Sequence, residues 1–571
     1  MANIKIKSSL FSCNCLTIII LITAFGLAVY YPEKASELLL NINKIFNKNS
    51  GLITERKKEI IIGIDFGSTQ SGYQIFYNSQ IDFQNDMIIT TELIFDLYFQ
   101  RGLSIGNIAH HFPKENIEKE NKLYFTKFKR NLDPKVKSNM ANSTIPIGGQ
   151  IPNDVVILEF LRLIKEYIIN NSINNLINYE NIKDVKWILA VPPLWDENAK
   201  KKMKELAIKA EMSNVQIALE PEVASLAIFY DEKIKKELLK PGTSFLLVDM
   251  GGYTIDFTAM KILDENKNLE QLLKPVSFTY GSNLINEYII SIIEEAYTKV
   301  ILDKVKKTNY KLWEQTLDEI EEAKKQINDN LAGSIKININ FNDGRCGSWS
   351  DKCTLKYNNI DIPYTSYNIE IPKHLVLNKI YELADEIIKS MKDQVFNSAQ
   401  TINLIIITGG FSNNQILKDK INSYLKSTQK EKVFLQNPEK TVMKGAALFG
   451  IKPNQIIKRI MPVTIGISIN ENTFFTFVQR GKSIDTNKII KKNIIPFDEK
   501  IQIYFADENE ELNSDNKKYL DEIDIPLLEN NDIPLERRNI TISMKFSSYI
   551  HVKLTEIGNN NFEEKILYYP S

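Results

Sequence analysis

The spacing of apolar residues changes several times along this chain, and each change marks an element. Residues 10–31 carry no charge, and residues 16–29 are almost wholly apolar. A run of that length satisfies its own backbone as a helix and reads as a single-pass membrane anchor, with a cleaved signal peptide as the rival reading. A polar linker continues to residue 58. Residues 59–77 then alternate as strand, tight turn and strand, which predicts a β-hairpin with Gly67, Ser68 and Thr69 at its tip. The same device returns at residues 244–261, where an apolar strand meets Asp249, a turn of Gly251, Gly252, Tyr253 and Thr254, and a second strand carrying Asp256. Residues 404–417 read as a buried strand entering a Gly409-Gly410 turn and then a helix. Helical spacing recurs at residues 154–170, 313–328 and 374–396. Past residue 453 the texture becomes that of strands, at 463–470, 473–478, 500–506 and 539–546, and predicts a β-rich C-terminal module.

Composition and charge narrow the function. With 571 residues, 43% hydrophobic, the chain can bury more than one core. Basic and acidic residues both number 71, so no net field draws a polyanion, and nucleic acid is not an expected partner. Of the four cysteines, Cys346 and Cys353 either close a loop or stay two separate thiols, the second being expected; neither cysteine pair has zinc-site spacing. Around the apolar run, Lys5 and Lys7 are balanced by Lys34, Lys44 and Lys48, so orientation is undetermined. Sequons at Asn142, Asn170 and Asn539 suit a lumenal domain but arise easily in an Asn-rich chain.

The two hairpins carry the chemistry. Such a turn aims backbone N–H groups and hydroxyls at phosphate oxygens, while an Asp at the strand end can hold hydrated Mg²⁺. Two distant copies imply two similar lobes facing across a cleft, each gripping the phosphates from one side. At the third turn, glycine lets the backbone approach a base or ribose closely. No helix follows the first hairpin directly, which argues against Rossmann and P-loop geometry, and Gly481-Lys-Ser483 lacks the rest of a phosphate loop.

These motifs resemble the actin-like ATPase superfamily and, within it, Hsp70, most closely the divergent Hsp70 family 12, over most of residues 59–452. Trp187-Ile-Leu-Ala-Val-Pro-Pro-Leu-Trp-Asp-Glu-Asn-Ala-Lys200, Ala218-Leu-Glu-Pro-Glu-Val-Ala-Ser-Leu-Ala227, Tyr280-Gly-Ser282 and Lys444-Gly-Ala-Ala-Leu-Phe-Gly450 are similar to further segments of that family. The resemblance implies a two-lobed α/β fold of duplicated ribonuclease H-like halves. Lobe I would take residues 59–240 and 438–452 and lobe II residues 241–437, between an N-terminal transmembrane helix within 1–31 and a β-rich module at 453–571.

By the same resemblance the cofactors are ATP and Mg²⁺. Asp65 and Asp256 would flank the metal; Gly67, Ser68, Thr69, Gly251, Gly252 and Thr254 would contact phosphate. Glu220 and Asp249 would orient the attacking water, and Lys129, ahead of Lys127, would reach the γ-phosphate. Glu321, Lys324, Lys325, Gly409 and Gly410 would hold the nucleoside side, and Gly281 would also belong to the nucleotide site. The implied function is an Hsp70-like ATP-binding protein, a slow ATPase whose lobe closure drives a chaperone-like switch, with a protein client or co-chaperone as partner. Its implied place is a membrane, the endoplasmic reticulum among the candidates. Tyr253 stands where that family has a third glycine and Phe411 where it has serine; the chain also shows no hydrophobic interdomain linker and no long C-terminal helical lid. These departures favour, as the alternative, a membrane-tethered nucleotide-sensing scaffold without significant hydrolysis. A sugar-kinase-like phosphotransferase is the third reading.

Overall fold

The structure is a computed structural model, and it describes residues 60–77, 80–113, 119–132, 151–173, 185–308, 310–327, 333–339, 346, 352–393, 401–428, 430–470, 473–526, 533–557 and 561–570. The apolar run at 10–31 and the linker after it lie outside the described residues. Among the described residues no helix is long and apolar enough to cross a membrane.

Strands β1 (Ile60–Phe66), β2 (Gln70–Tyr77) and β3 (Gln80–Thr90) form an antiparallel meander. A small separate sheet follows, of β4 (Glu92–Asp96), β5 (Arg101–Ile105) and β6 (Lys122–Thr126). β7 (Val185–Val191) and β8 (Asn214–Leu219) then add parallel strands, giving the order β3-β2-β1-β7-β8. Lobe II repeats the plan. β9 (Ser244–Met250) pairs antiparallel with β10 (Ile255–Ile262), and β10 in turn with β11 (Leu269–Gln271) and β12 (Val276–Phe278).

A four-stranded antiparallel sheet of β13 (Ser334–Asn338), β14 (Cys353–Tyr357), β15 (Ile360–Tyr364) and β16 (Asn368–Pro372) is inserted next. β17 (Leu404–Thr408) and β18 (Glu431–Phe434) complete the second sheet, parallel to β9. β1 and β9 even share one pattern of burial, with every residue buried except the Asp next to the end. That is the signature of strands covered on both faces, and it shows why both runs read as near-continuous apolar sequence. The result is a mixed α/β fold of two matching sheets.

Between the sheets the helices Glu220–Ala227 and Thr441–Ile451 cross, joined by buried side chains from both sheets such as Ile61, Ile188, Phe245 and Ile406. The approach is close enough that a Cβ on Gly445 would overlap the Val223 carbonyl, and one on Gly63 would overlap the backbone of Ala447. Glycine at these points is a packing requirement.

After the second crossing helix, β19 (Ile456–Ile460) adds itself to the edge of the second sheet beside β11. β20 (Thr464–Asn470), β21 (Thr473–Val478), β22 (Ser483–Asp485), β23 (Ile489–Ile494), β24 (Lys500–Ala506), β25 (Lys518–Asp524), β26 (Ile540–Phe546), β27 (Ile550–Glu556) and β28 (Phe562–Leu567) follow. They make two four-stranded sheets, β21-β20-β24-β25 and β23-β26-β27-β28, which share one apolar core around Ile467, Ile503, Ile542 and Val552; β22 instead pairs with β19. Strict alternation of buried and half-buried positions on β26 and β27 is the pattern of sheets with one face on the core.

One expectation is corrected. Cys346 and Cys353 are not separate thiols but a disulfide, their Cα atoms 5.8 Å apart. Cys346 is packed in the lobe II core beside the start of β14, which brings the two sulfurs within bonding reach.

Candidate functional site

Each hairpin tip is shaped by its own backbone. In the first, a Cβ on Gly67 would overlap the Gln70 carbonyl, and Thr91 anchors the turn by donating its hydroxyl to the Gly67 carbonyl at 2.9 Å and its N–H to the Thr69 carbonyl at 2.8 Å. In the second, Gly251 N–H bonds the Thr254 carbonyl at 2.9 Å, and the chain from Gly281 to Asn283 packs onto the turn. Ser282 N–H reaches the Gly251 carbonyl, Asn283 N–H the Gly252 carbonyl at 2.8 Å, and Gly281 N–H the Tyr253 carbonyl at 3.1 Å. A Cβ at Gly281 would strike Gly252.

The two tips meet. A Cβ placed on Gly252 would lie 3.5 Å from Thr69 Oγ1, so lobe I and lobe II face each other at contact distance. They open onto a cavity of about 900 Å³ lined by Ser68, Thr69, Gly252, Glu321, Lys324, Lys325 and Gly410 among the predicted residues. Lys127 and Arg130 line it too, as do Ser282 and Asn283 at the start of the helix Asn283–Tyr297. Phe411 is both part of the core around the second sheet and one of the residues that line the cavity.

Gly67, Gly251, Gly281 and Gly409 support this wall without lining the cavity. Gly409 has φ of 84°, and a Cβ there would overlap Asp249 Oδ1 and the Met250 backbone. Only glycine both adopts that conformation and lets the third turn lie against the second hairpin.

The predicted charged residues Asp65, Lys129, Glu220, Asp249 and Asp256, and Thr254 with them, are not among the residues that line this cavity; they form a buried cluster at and beside the strand ends that lead into the two hairpins. Asp249 and Asp256 are cross-strand partners on β9 and β10, and Asp65 occupies the matching place on β1. Burial, then Glu220, raises Asp65 to about 7 against the pull of Lys129. Burial and Glu220 likewise take Asp256 to about 7, although it accepts hydrogen bonds from Ser277 and from Thr254, the latter at 2.9 Å. Asp249 is pushed well above the ordinary carboxylate range by burial first, then by Asp256, Asp65 and Glu220. Lys129 is the compensating cation: its Nζ lies 2.8 Å from Glu220 Oε1, and it stands 5.5 Å over the Trp195 ring and 5.8 Å over Phe66.

Buried like charges of this kind are stabilised by a divalent cation with oxygen ligands. Among the described residues, no three acidic, histidine or cysteine side chains close on one point as direct metal ligands.

On the nucleoside side, Glu321 and Lys324 form an ion pair at 2.6 Å, and Asn286 donates to the same Glu321 oxygen at 2.9 Å. Burial alone would raise Glu321, but Lys324 and those hydrogen bonds outweigh it and hold its carboxyl low. Lys325 instead pairs with Glu322 on a more exposed strip.

Sequence reasoning missed Arg130 and Asn286. Arg130, which lines the cavity, stacks on the Tyr253 ring, 4.1 Å from its centre, and so links the segment after β6 to the second hairpin. Tyr253 itself lies outside the left-handed region. The turn thus tolerates a side chain where the third glycine was expected, and uses it for that contact. Arg130 immediately follows Lys129, which was the available signal.

Comparison with known proteins agrees with this geometry. The family model described as Hsp70 protein matches residues 61–525. The chain is 22% identical over 514 residues to human heat shock 70 kDa protein 12A, covering 75% of each chain. It is 20% identical over 492 residues to human heat shock 70 kDa protein 12B, covering 72% of this chain and 71% of that one. It is also 22% identical over 500 residues to the mitochondrial-type heat shock protein 70 of Encephalitozoon hellem, covering 82% and 75%.

Proposed function

The chain belongs to the Hsp70 family, and from that membership we propose that its cleft binds ATP with hydrated Mg²⁺ and hydrolyses it slowly. The observation that carries the reading is the meeting of the two hairpin tips, Thr69 against Gly252, at one end of a single cavity. Ser68 and Thr69 from one lobe and Gly252 from the other present hydroxyls and backbone N–H groups to the phosphates. Mg²⁺, when bound, neutralises charge on the β- and γ-phosphates. Asp65 and Asp256 hold its water shell in this reading. Glu220, steadied by Lys129, and Asp249 orient the attacking water, while Lys129 and Arg130 supply positive charge near the γ-phosphate.

Closure of the lobes is relayed outward in this proposal through the helix Glu220–Ala227. Glu220 is ion-paired with Lys129 and raises the Asp65, Asp249 and Asp256 carboxyls, and two residues on, Glu222 is ion-paired with Arg459 of β19 and accepts from Ser548 at 3.2 Å. One short helix therefore touches both the acidic cluster and the C-terminal strands. A protein client or co-chaperone would read the switch there, and the apolar run at 10–31 would tether the chain to a membrane.

A second reading, nucleotide sensing without turnover, is favoured by Tyr253, whose ring stacks with Arg130. Single-turnover hydrolysis separates the two. If the chain is an ATPase, Lys129→Ala and Asp249→Asn each lower the rate by at least ~10²-fold. If it is a sensor, wild type already shows the background rate and only Tyr253→Gly raises it.

A further inference from the structure

A second, smaller cavity of about 80 Å³ lies where three parts of the chain meet: Lys200 and Glu222 before the second sheet, Gln271 of β11 and Lys274 of the loop after it, and Arg459 and Tyr569 from the C-terminal stretch. Its polar groups do not balance. Glu222 is the one carboxylate in the wall, and it is already taken by Arg459 and the Ser548 hydroxyl. Lys200 donates to the Tyr569 carbonyl at 3.2 Å, which uses one of the three N–H donors of its ammonium. Arg459 Nε and the Tyr569 hydroxyl are buried with no hydrogen-bond partner, in residues only 5% and 8% exposed. Lys274 stands exposed on the loop after β11 and reaches the same cavity.

What is left over is mostly donor capacity, most of it cationic, with the Tyr569 hydroxyl able to accept as well as donate. Burial, with the like charge of Lys274 adding to it, lowers Lys200 to about 8 against the pull of Asp196 and Glu197. Buried donors are normally satisfied, so a set in which donors outnumber acceptors implies an acceptor from outside. The volume holds roughly five water-sized spheres, the scale of one tetrahedral oxyanion. The remaining wall is apolar, with Leu194, Pro275 and Met461, which excludes a large hydrated group.

We propose that this cavity binds a small oxyanion, of the inorganic phosphate class, between Lys200, Lys274, Arg459 Nε and the Tyr569 hydroxyl. Its ligands come from three parts of the fold. An anion seated there therefore clamps the C-terminal strands to both lobes, and acts as an effector site separate from the nucleotide cleft.

The test is calorimetric titration of the full chain with inorganic phosphate, first saturated with a non-hydrolysable ATP analogue so that the main cleft is filled. The expected result is one phosphate per chain. Its Kd is expected to weaken at least tenfold in Lys274→Met, a substitution at an exposed position, and several-fold in Tyr569→Phe, which removes only the hydroxyl; analogue affinity stays unchanged in both. Weakening in either variant supports the site. Absence of saturable phosphate binding in wild type, or a Kd within twofold of wild type in both variants, overturns it.

Discussion

Asp65, Asp249 and Asp256 are buried within one another's fields and that of Glu220, so in the free protein each holds its proton far more tightly than an exposed carboxyl does. Burial and the neighbouring Asp256, Asp65 and Glu220 raise Asp249 well above the ordinary carboxylate range, and Asp249→Asn removes that disfavoured charge while keeping the shape of the side chain. Its thermal unfolding should therefore match or exceed that of wild type while single-turnover hydrolysis collapses. A variant that loses hydrolysis only by unfolding would contradict this assignment. Gly409→Ala should behave in the opposite way. At φ 84° and ψ 149° the backbone lies in a region essentially reserved for glycine, at a cost of about 1–3 kcal/mol for a residue with a Cβ, and the overlap with Asp249 adds to it, so urea denaturation should show the loss directly.

What the sequence made legible at this scale were residues whose type is dictated by their own turn, such as the glycines of the hairpins. Arg130 was not legible as a cleft residue, because its partner, Tyr253, belongs to the other lobe and no local pattern joins them.

Elements were read most surely where one face or both faces are buried along their whole length. β1 and β9 show continuous apolar runs, and the helices Asn153–Ile168 and Lys373–Met391 show apolar residues at helical spacing, so both kinds of pattern survive in the sequence. β19 was not anticipated as a strand of the second sheet. It has only five residues, and its neighbour β11 is far away in sequence, so nothing local specifies the pairing. The disulfide escaped for the same reason: six intervening residues of Gly, Ser and Asp texture do not reveal that a core position and a strand end come together.

The helix Glu197–Lys209 offers a pH test. Asp196 caps it through the Ala199 N–H at 2.7 Å, and Glu197 in its first turn is raised to about 7, by burial first and by Asp521 of β25 second. A carboxyl with a raised folded value stabilises the fold fully below its unfolded value and loses that contribution as pH climbs through the folded one. Stability should thus decline between about pH 5 and pH 8, and Glu197→Gln should flatten the decline in denaturation measured across that range. An unchanged profile would contradict a Glu197 carboxyl raised by burial and by the charge of Asp521.

At the scale of the molecule, the duplicated sheets, the crossing helices and the C-terminal strands are tied together by few but buried links. Arg459 is paired with Glu222 and donates to Ser548 at 3.0 Å. Removing one member of such a pair leaves a charge without compensation, at a cost of about 3–5 kcal/mol. Arg459→Met should therefore be strongly destabilised in urea, and Arg459→Met with Glu222→Gln should recover much of the loss. Equal destabilisation of the single and double variants would mean that the pair does not join the C-terminal strands to the helix Glu220–Ala227. A β-rich tail was legible from alternation alone, but its attachment was not, because the residues that make it are isolated charges in otherwise unrelated segments.

The most direct measurement is a calorimetric titration of the protein with ATP in the presence and absence of Mg²⁺. One ATP per chain is predicted, bound at least ~10-fold more tightly with the metal, since the buried carboxylates lose their mutual repulsion when a divalent cation is held among them. Absence of saturable binding at millimolar ATP, or an affinity indifferent to Mg²⁺, would contradict the view that the two hairpins close around one triphosphate.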